Sequence, residues 1–200
     1  SSRSGYRVLV YLVRTRMLGV TYCKGSSRAG ELYARADSNW RPTRPTTGYA
    51  IFLGGGAIVT CCRRQGCICM SSTEAELVAL ADCAVELLHV DAMLAHIGYR
   101  RDGPIDVGTD NKGAHDLCHR FTSAQNSRHI DRKLFKMREM RGAGIVTVTH
   151  VPTEINPADI FTKILSRQLF ERHRRTVLNL TEDAGDSLPS HGPAADDGGG

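Results

Sequence analysis

Apolar positions along the chain change their period several times, and each change marks an element. Residues 31–37, 47–54 and 57–62 are short runs of strand-forming side chains, with Gly54-Gly55-Gly56 between the last two. They predict a three-stranded antiparallel meander. From Ser72 onward Leu77, Leu80, Ala81, Ala84, Leu87, Leu88, Met93 and Leu94 recur at a spacing near 3.6. This predicts one long helix stopped by Gly98, with Ser71 and Glu74 at capping-box spacing in front of it. A fourth strand is predicted over 104–109, a short helix over Asn111–His119, a helix over 127–141 and a fifth strand over 144–150. Helices near 157–164 and 166–178 follow. Residues 5–18 read as a helix ended by Gly19, and residues 23–30 as a linker. The last twenty residues are rich in Gly, Asp, Pro and Ser and are expected to be disordered.

The order β-β-β-α-β-α-α-β-α predicts an α/β fold. Three antiparallel strands lead through a helical crossover to parallel additions, giving a mixed five-stranded sheet flanked by helices. In that layout the ends of the first and fourth strands lie side by side. The length of 200 residues suits one domain plus extras, and 41% hydrophobic residues suffice for a core.

Charge sharpens the picture. The formal net charge is +5, but residues 181–200 hold Glu182, Asp183, Asp186, Asp196 and Asp197 and no Lys or Arg. The first 180 residues therefore carry 26 basic against 16 acidic side chains. A basic body with an acidic tail suits a polyanionic partner, although solubility alone also explains such a balance. Seven cysteines are an odd count, which argues for reduced thiols rather than a disulfide framework. With no signal peptide and no run of 18 apolar residues, an intracellular protein is expected, with neither secretion nor a membrane span. The start at Ser-Ser without Met hints at a piece of something longer.

Four acidic residues have local contexts that suit metal chemistry: Asp37 in Ala-Arg-Ala-Asp-Ser-Asn-Trp, Glu76 in Ser-Ser-Thr-Glu-Ala-Glu-Leu, Asp110 in Gly-Thr-Asp-Asn, and Asp159 in Asn-Pro-Ala-Asp-Ile. Three fall at a predicted strand end or in a helix's first turn, where a carboxylate projects into a rim. Mg²⁺ takes oxygen ligands, and two ions about 4 Å apart clamp both oxygens of a phosphodiester exchange. Each residue also has a bland reading, as a strand-end turn residue or a helix N-terminal acid. Glu74 and Glu76 compete, since they lie roughly 200° apart on the helix and cannot face one site together. Ser72 and Thr73 are candidates to read a ribose 2′-OH, or to cap the helix. Gln65 and Asn111 are further polar candidates. Arg128, Arg132 and Lys136 share a helix face that suits a phosphate backbone, or simply solvent. Cys61, Cys62, Cys67 and Cys69 lack the spacing of a zinc site.

Taken in order, several fragments resemble the RNase H domain of Copia-type retrotransposon polyproteins. They are Arg7-Val8-Leu9-Val10-Tyr11-Leu12 with Thr15 and Gly19, Thr46-Thr47-Gly48-Tyr49, Gln65 with Ser71-Ser72-Thr73-Glu74-Ala75-Glu76, Asp110-Asn111, Arg128-His129-Ile130-Asp131, and Ala158-Asp159-Ile160-Phe161-Thr162-Lys163. The resemblance spans about residues 5–175. It implies an RNase H-like domain over 31–165, a reverse transcriptase connection remnant at 1–22, the linker at 23–30, a C-terminal helix at 166–180 and the tail at 181–200. It favours Glu76 over Glu74 and implies Asp37, Glu76, Asp110 and Asp159 as catalytic ligands of two Mg²⁺ ions, with Mn²⁺ as substitute. Asp37 and Asp110 would share the ions. His150 is similar to a mobile histidine that aids product release or proton transfer, and His129 has a structural or substrate-contacting match. The implied activity is hydrolysis of the RNA strand of RNA–DNA hybrids. The implied partners are the hybrid and the reverse transcriptase of the same polyprotein, with no membrane and no small-molecule substrate. Departures exist: Asn39 stands where the family has a second Asp, Cys61-Cys62-Arg63-Arg64 replaces a Trp-containing stretch, and Phe135 replaces a His. They keep open an inactive nucleic-acid-binding module of the same fold, and the fold also serves DNA-strand transfer.

Overall fold

The structure, a computed structural model, describes residues 2–23, 31–41, 43–119 and 128–180. Strands β1 (Tyr33–Asn39), β2 (Thr46–Leu53), β3 (Gly56–Arg64), β4 (Ile105–Thr109) and β5 (Val146–His150) form one sheet in the order β3-β2-β1-β4-β5. β1 pairs antiparallel with β2 and β2 with β3, while β1–β4 and β4–β5 are parallel. This is the predicted mixed sheet. Helices are α1 (Ser2–Arg14), α2 (Ser72–His96), α3 (Lys112–His119), α4 (Arg128–Gly142) and α5 (Arg167–Leu178).

α2 is the crossover between the antiparallel and parallel halves. Ser71 caps it, its side chain accepting from the Glu74 N–H at 3.2 Å. Glu74 in turn accepts from the Met70 N–H at 2.7 Å, so the reciprocal cap reaches one residue further out than the usual box. The helix packs on the sheet with one face and is clasped by α3 and α4 on another. Leu77, Val78, Leu80, Cys83, Ala84 and Leu87 are all buried, and this near-encirclement explains an apolar pattern wider than a single stripe. α4 contributes Ile130, Leu134, Met137 and Met140 to the same core. A smaller core on the opposite sheet face joins Ala50, Phe52, Ala57 and Val177, with Tyr33, Ile160 and Phe161 packed against it. The Tyr33 and Phe52 rings stack there at 4.7 Å.

Several boundaries differ from expectation. β1 runs to Asn39, so Asp37 lies inside the strand and not at its end. Antiparallel pairing with β2 continues through Asn39↔Thr46 and carries the strand two residues further. The helix expected near 157–164 is two short 3₁₀ turns, Thr153–Ile155 and Pro157–Phe161. Asn156 accepts from the Ala158 N–H and donates to Ala36 O at 3.1 Å, which pins this segment to β1 and stops a regular helix. α1 ends at Arg14 rather than 18. Residues 20–23 are hydrogen-bonded to the body, Thr21 N–H to Leu178 O at 2.9 Å and Cys23 N–H to Gly54 O at 2.8 Å, which leaves the expected connecting role of this stretch open. Most of the expected linker and the acidic tail lie outside the described residues.

Candidate active site

β1 and β4 run parallel from Tyr33↔Asp106 to Arg35↔Gly108. Continued two residues, that register sets Asp37 beside Asp110. Glu76 comes up from the second turn of α2, and one carboxylate oxygen from each of Asp37, Glu76 and Asp110 lies within 4.8 Å of the others. Asp37 is fully buried and Glu76 nearly so. Two like charges at that spacing repel by roughly 3.5 kcal/mol at an effective dielectric constant near 20, so the cluster requires a positive partner.

Asp159, on the Pro157–Phe161 turn that lies across β2, is not among the three converging oxygens and meets them through the shared Lys163 ammonium. Gly48 pairs with Asp37 in the sheet, and its missing side chain is what lets the turn approach. A Cβ at Gly48 would stand 2.5 Å from Thr162 Cγ2 and 2.9 Å from Phe161 Cβ. Thr162 then donates its hydroxyl to Asp37 Oδ2. Lys163, one residue on, places its ammonium among three carboxylates. It is 3.0 Å from Asp37 Oδ1, 2.9 Å from Asp159 Oδ1 and 3.6 Å from Asp110 Oδ2.

Hydrogen bonds fix the orientation of Glu76. The Ser38 N–H donates to Oε1 at 3.2 Å, and the Thr109 hydroxyl to Oε2 at 3.5 Å. Gln65 braces this arrangement from beneath. Its buried amide lies within donating distance of Ala75 O (2.8 Å), Thr47 Oγ1 (3.1 Å) and Ser38 Oγ (3.3 Å). Gln65 is therefore a strut between β1, β2 and the first turn of α2, not a surface contact to a ligand.

The electrostatics follow from burial and crowding. Burial, then Asp37 and Asp110, hold the Glu76 carboxyl well above its ordinary value. Asp159 is pushed up to about 6 by burial and then by Asp37, against the pull of Lys163. Burial opposes the charge on Lys163, but Asp37, Asp159 and Asp110 outweigh it and hold its pKa above the usual lysine value. Among the described residues, Asp37 Oδ1 is buried without a hydrogen bond and is ion-paired with that ammonium.

The other predicted residues surround this centre. Glu74 serves the α2 cap, which separates it from Glu76. Ser72 is exposed at the start of α2, and Thr73 lies against Gly113 of α3. Asn111 caps α3, its side-chain oxygen accepting from the Ala114 N–H at 2.9 Å. His150 ends β5 on the surface, 3.1 Å from Asp110 O through Nε2. Arg132 and Lys136 are exposed on α4, whereas the side chains of Arg128 and His129 lie outside what is described. Arg138 and Arg141 instead bind the Leu117 and Cys118 carbonyls and tie α4 to α3. Lys163, Thr162 and Gly48 stand within the sequence motifs, and the structure adds them to the site. The i, i+4 spacing of Asp159 and Lys163 was the available signal for the first. Asn39 donates to Thr162 O at 2.8 Å and so braces the segment that delivers Asp159.

No protein-family model matches the chain. It is 31% identical over 175 residues to the retrovirus-related Pol polyprotein from transposon RE2 of Arabidopsis thaliana, covering 86% of this chain and 12% of that one. It is 31% identical over 134 residues to the Pol polyprotein from transposon TNT 1-94 of Nicotiana tabacum, covering 67% and 10%. The chain thus spans about a tenth of the length of these relatives. Among solved structures it superposes on LC11-RNase H1, isolated from compost, with TM-score 0.51 and 18% identity over 66% of this chain and 92% of that one. The chain belongs, as one segment with the RNase H fold, to the retrovirus-related Pol polyproteins of retrotransposons.

Proposed function

We propose that this segment is a ribonuclease H that hydrolyses the RNA strand of RNA–DNA hybrids with Mg²⁺, Mn²⁺ serving as a substitute. The convergence of Asp37, Glu76 and Asp110 on the RNase H sheet carries this reading. The donor set suits a hard divalent ion: carboxylate oxygens only, one of them buried and without a hydrogen bond, around a point already occupied by positive charge. Asp37, Glu76, Asp110 and Asp159 would hold the metal. Bound there, it supplies charge stabilisation of the phosphodiester exchange and a more acidic water.

The chain's own residues prepare the site. Ser38 and Thr109 aim Glu76, and Gly48, Asn39 and Thr162 seat the turn that presents Asp159. Ser72 and Thr73 stand at the N-terminus of α2 and are offered to the ribose side of the hybrid. Asn111 joins them from the start of α3. Arg128, Arg132 and Lys136 on α4 give the duplex backbone a basic track, and His150 stands at the rim beside Asp110. The reverse transcriptase of the same polyprotein would deliver the hybrid.

Cleavage of a labelled RNA–DNA hybrid in Mg²⁺, beside an Asp110→Asn variant and a duplex-DNA substrate, tests the proposal. RNA-strand products that vanish in the variant are expected, a loss of at least about 10²-fold. Salt-sensitive hybrid binding with no products in either metal would instead support an inactive binding module. The motive for that alternative weakens at Asn39, whose hydrogen bond needs an amide donor.

A further inference from the structure

In the site the Lys163 ammonium meets three carboxylates at once. Its side chain is only about a third exposed, and among the described residues its ammonium is the ion-pair partner of the buried Asp37 Oδ1, which has no hydrogen bond there. A lysine merely decorating the rim would sit on one carboxylate and face water. Here the stem is fixed at its base, because Thr162 beside it binds both Asp37 and, through its carbonyl, Asn39. The ammonium is a compact charge on a flexible four-carbon stem, able to enter the cluster and to leave it.

We propose that Lys163 is a tethered counter-ion that competes with the divalent metal for the Asp37–Asp110–Asp159 carboxylates. It keeps the crowded acids together when no metal is bound, and it must withdraw from Asp37 and Asp159 for metal to load. The exchange is partial: the ammonium brings one positive charge to Asp37, Asp110 and Asp159, whereas a divalent ion brings two and takes Glu76 as well. The consequence is an opposed pair of effects: Lys163 stabilises the metal-free fold and weakens metal affinity. Such a residue sets a threshold, so the site loads fully only where divalent ion is abundant or where a bound phosphate adds further negative charge. This inference rests on the metal-binding reading above.

Mn²⁺ binding to the whole chain, measured by isothermal titration, and melting in EDTA separate the outcomes. Wild type is compared with Lys163→Met, Lys163→Arg and Asp110→Asn. The expected result is Mn²⁺ affinity on the order of tenfold higher in Lys163→Met, with a lower melting temperature in EDTA and a larger rise on adding Mn²⁺. Lys163→Arg keeps the charge and is expected to stay near wild type in affinity. If wild type binds Mn²⁺, Asp110→Asn does not, and Lys163→Met binds no tighter, the counter-ion role is overturned while the metal site stands. Binding by Lys163→Met alone supports competition in its strongest form. Absence of binding in wild type and both Lys163 variants overturns the metal reading and this proposal together.

Discussion

At Asn39 the difference between an amide and a carboxylate is the difference between a donor and an acceptor. Its Nδ2 donates to Thr162 O, and an Asp at this position would set carboxylate oxygens against that carbonyl. Asn39→Asp is therefore expected to lose about 1 kcal/mol or more of stability in urea unfolding and to bring no gain in hybrid cleavage. A more active or more stable variant would show that the amide is drift rather than a brace. Asp159 gives a second residue-level test. Its carboxyl is raised from 3.8 to about 6, so between these values the folded state binds more protons than the unfolded chain. The stability linked to this group is complete below the lower value and is lost as pH rises through the upper one. Without metal, the wild type is expected to lose more stability between pH 4 and pH 7 than Asp159→Asn. Parallel losses in thermal melts would remove the raised carboxyl. Three of the four acids stand out in the sequence because each falls at a predicted strand end or in a helix's first turn, and the structure brings Asp37, Glu76 and Asp110 together. For Lys163 the i, i+4 spacing from Asp159 points to that one acid, while its approach to Asp37 and Asp110 depends on the turn folding back onto β2.

At the scale of elements, the site depends on one close contact between β2 and the Pro157–Phe161 turn. Gly48→Ala would force a Cβ into Thr162 and Phe161, and the turn must shift to receive it. A loss of about 1–3 kcal/mol is expected, together with a marked fall in cleavage as Asp159 and Lys163 move off the cluster. Gly142→Ala, where an added Cβ meets nothing within 4 Å, is the control and should leave both properties in place. Equal behaviour of the two variants would detach the turn from the active site. The long helix and the five strands were legible because their apolar periods are sustained and their ends carry glycine or a capping serine. The turn was not. Its Pro-Ala-Asp-Ile-Phe run has helical spacing, and only the hydrogen bonds of Asn156 to Ala36 and of Thr162 to Asp37 divert it. Those partners lie some 120 residues away in sequence, beyond any local pattern.

For the whole molecule, the least resolved feature of the sequence is the N-terminal stretch. It resembles a connecting piece, and in the structure several of its residues are also bound to the body. Tyr22 donates its hydroxyl to Ala57 O at 3.0 Å, Asn179 donates to Thr21 O at 2.9 Å, and Tyr11 meets Phe170 of α5 edge to face. No hydrophobic pattern could reveal this, because most of the contacts are to backbone atoms. α1 nevertheless keeps a second face uncovered: Val8, Leu9, Leu12 and Val13 lie together on the helix, each more than half exposed. Four such side chains are more than scattered surface residues, and they suit contact with a further chain or domain. Left without it, the isolated chain is expected to self-associate through this face as its concentration rises. Sedimentation velocity should show a growing heavier species in wild type and its loss in a Leu9→Glu, Val13→Glu double variant. The melting temperature should hardly change, since these side chains are mostly exposed in the structure. A wild type that sediments as a monomer across the whole range would mean that α1 covers its apolar face without a partner, and the connection to a neighbouring domain would need another surface.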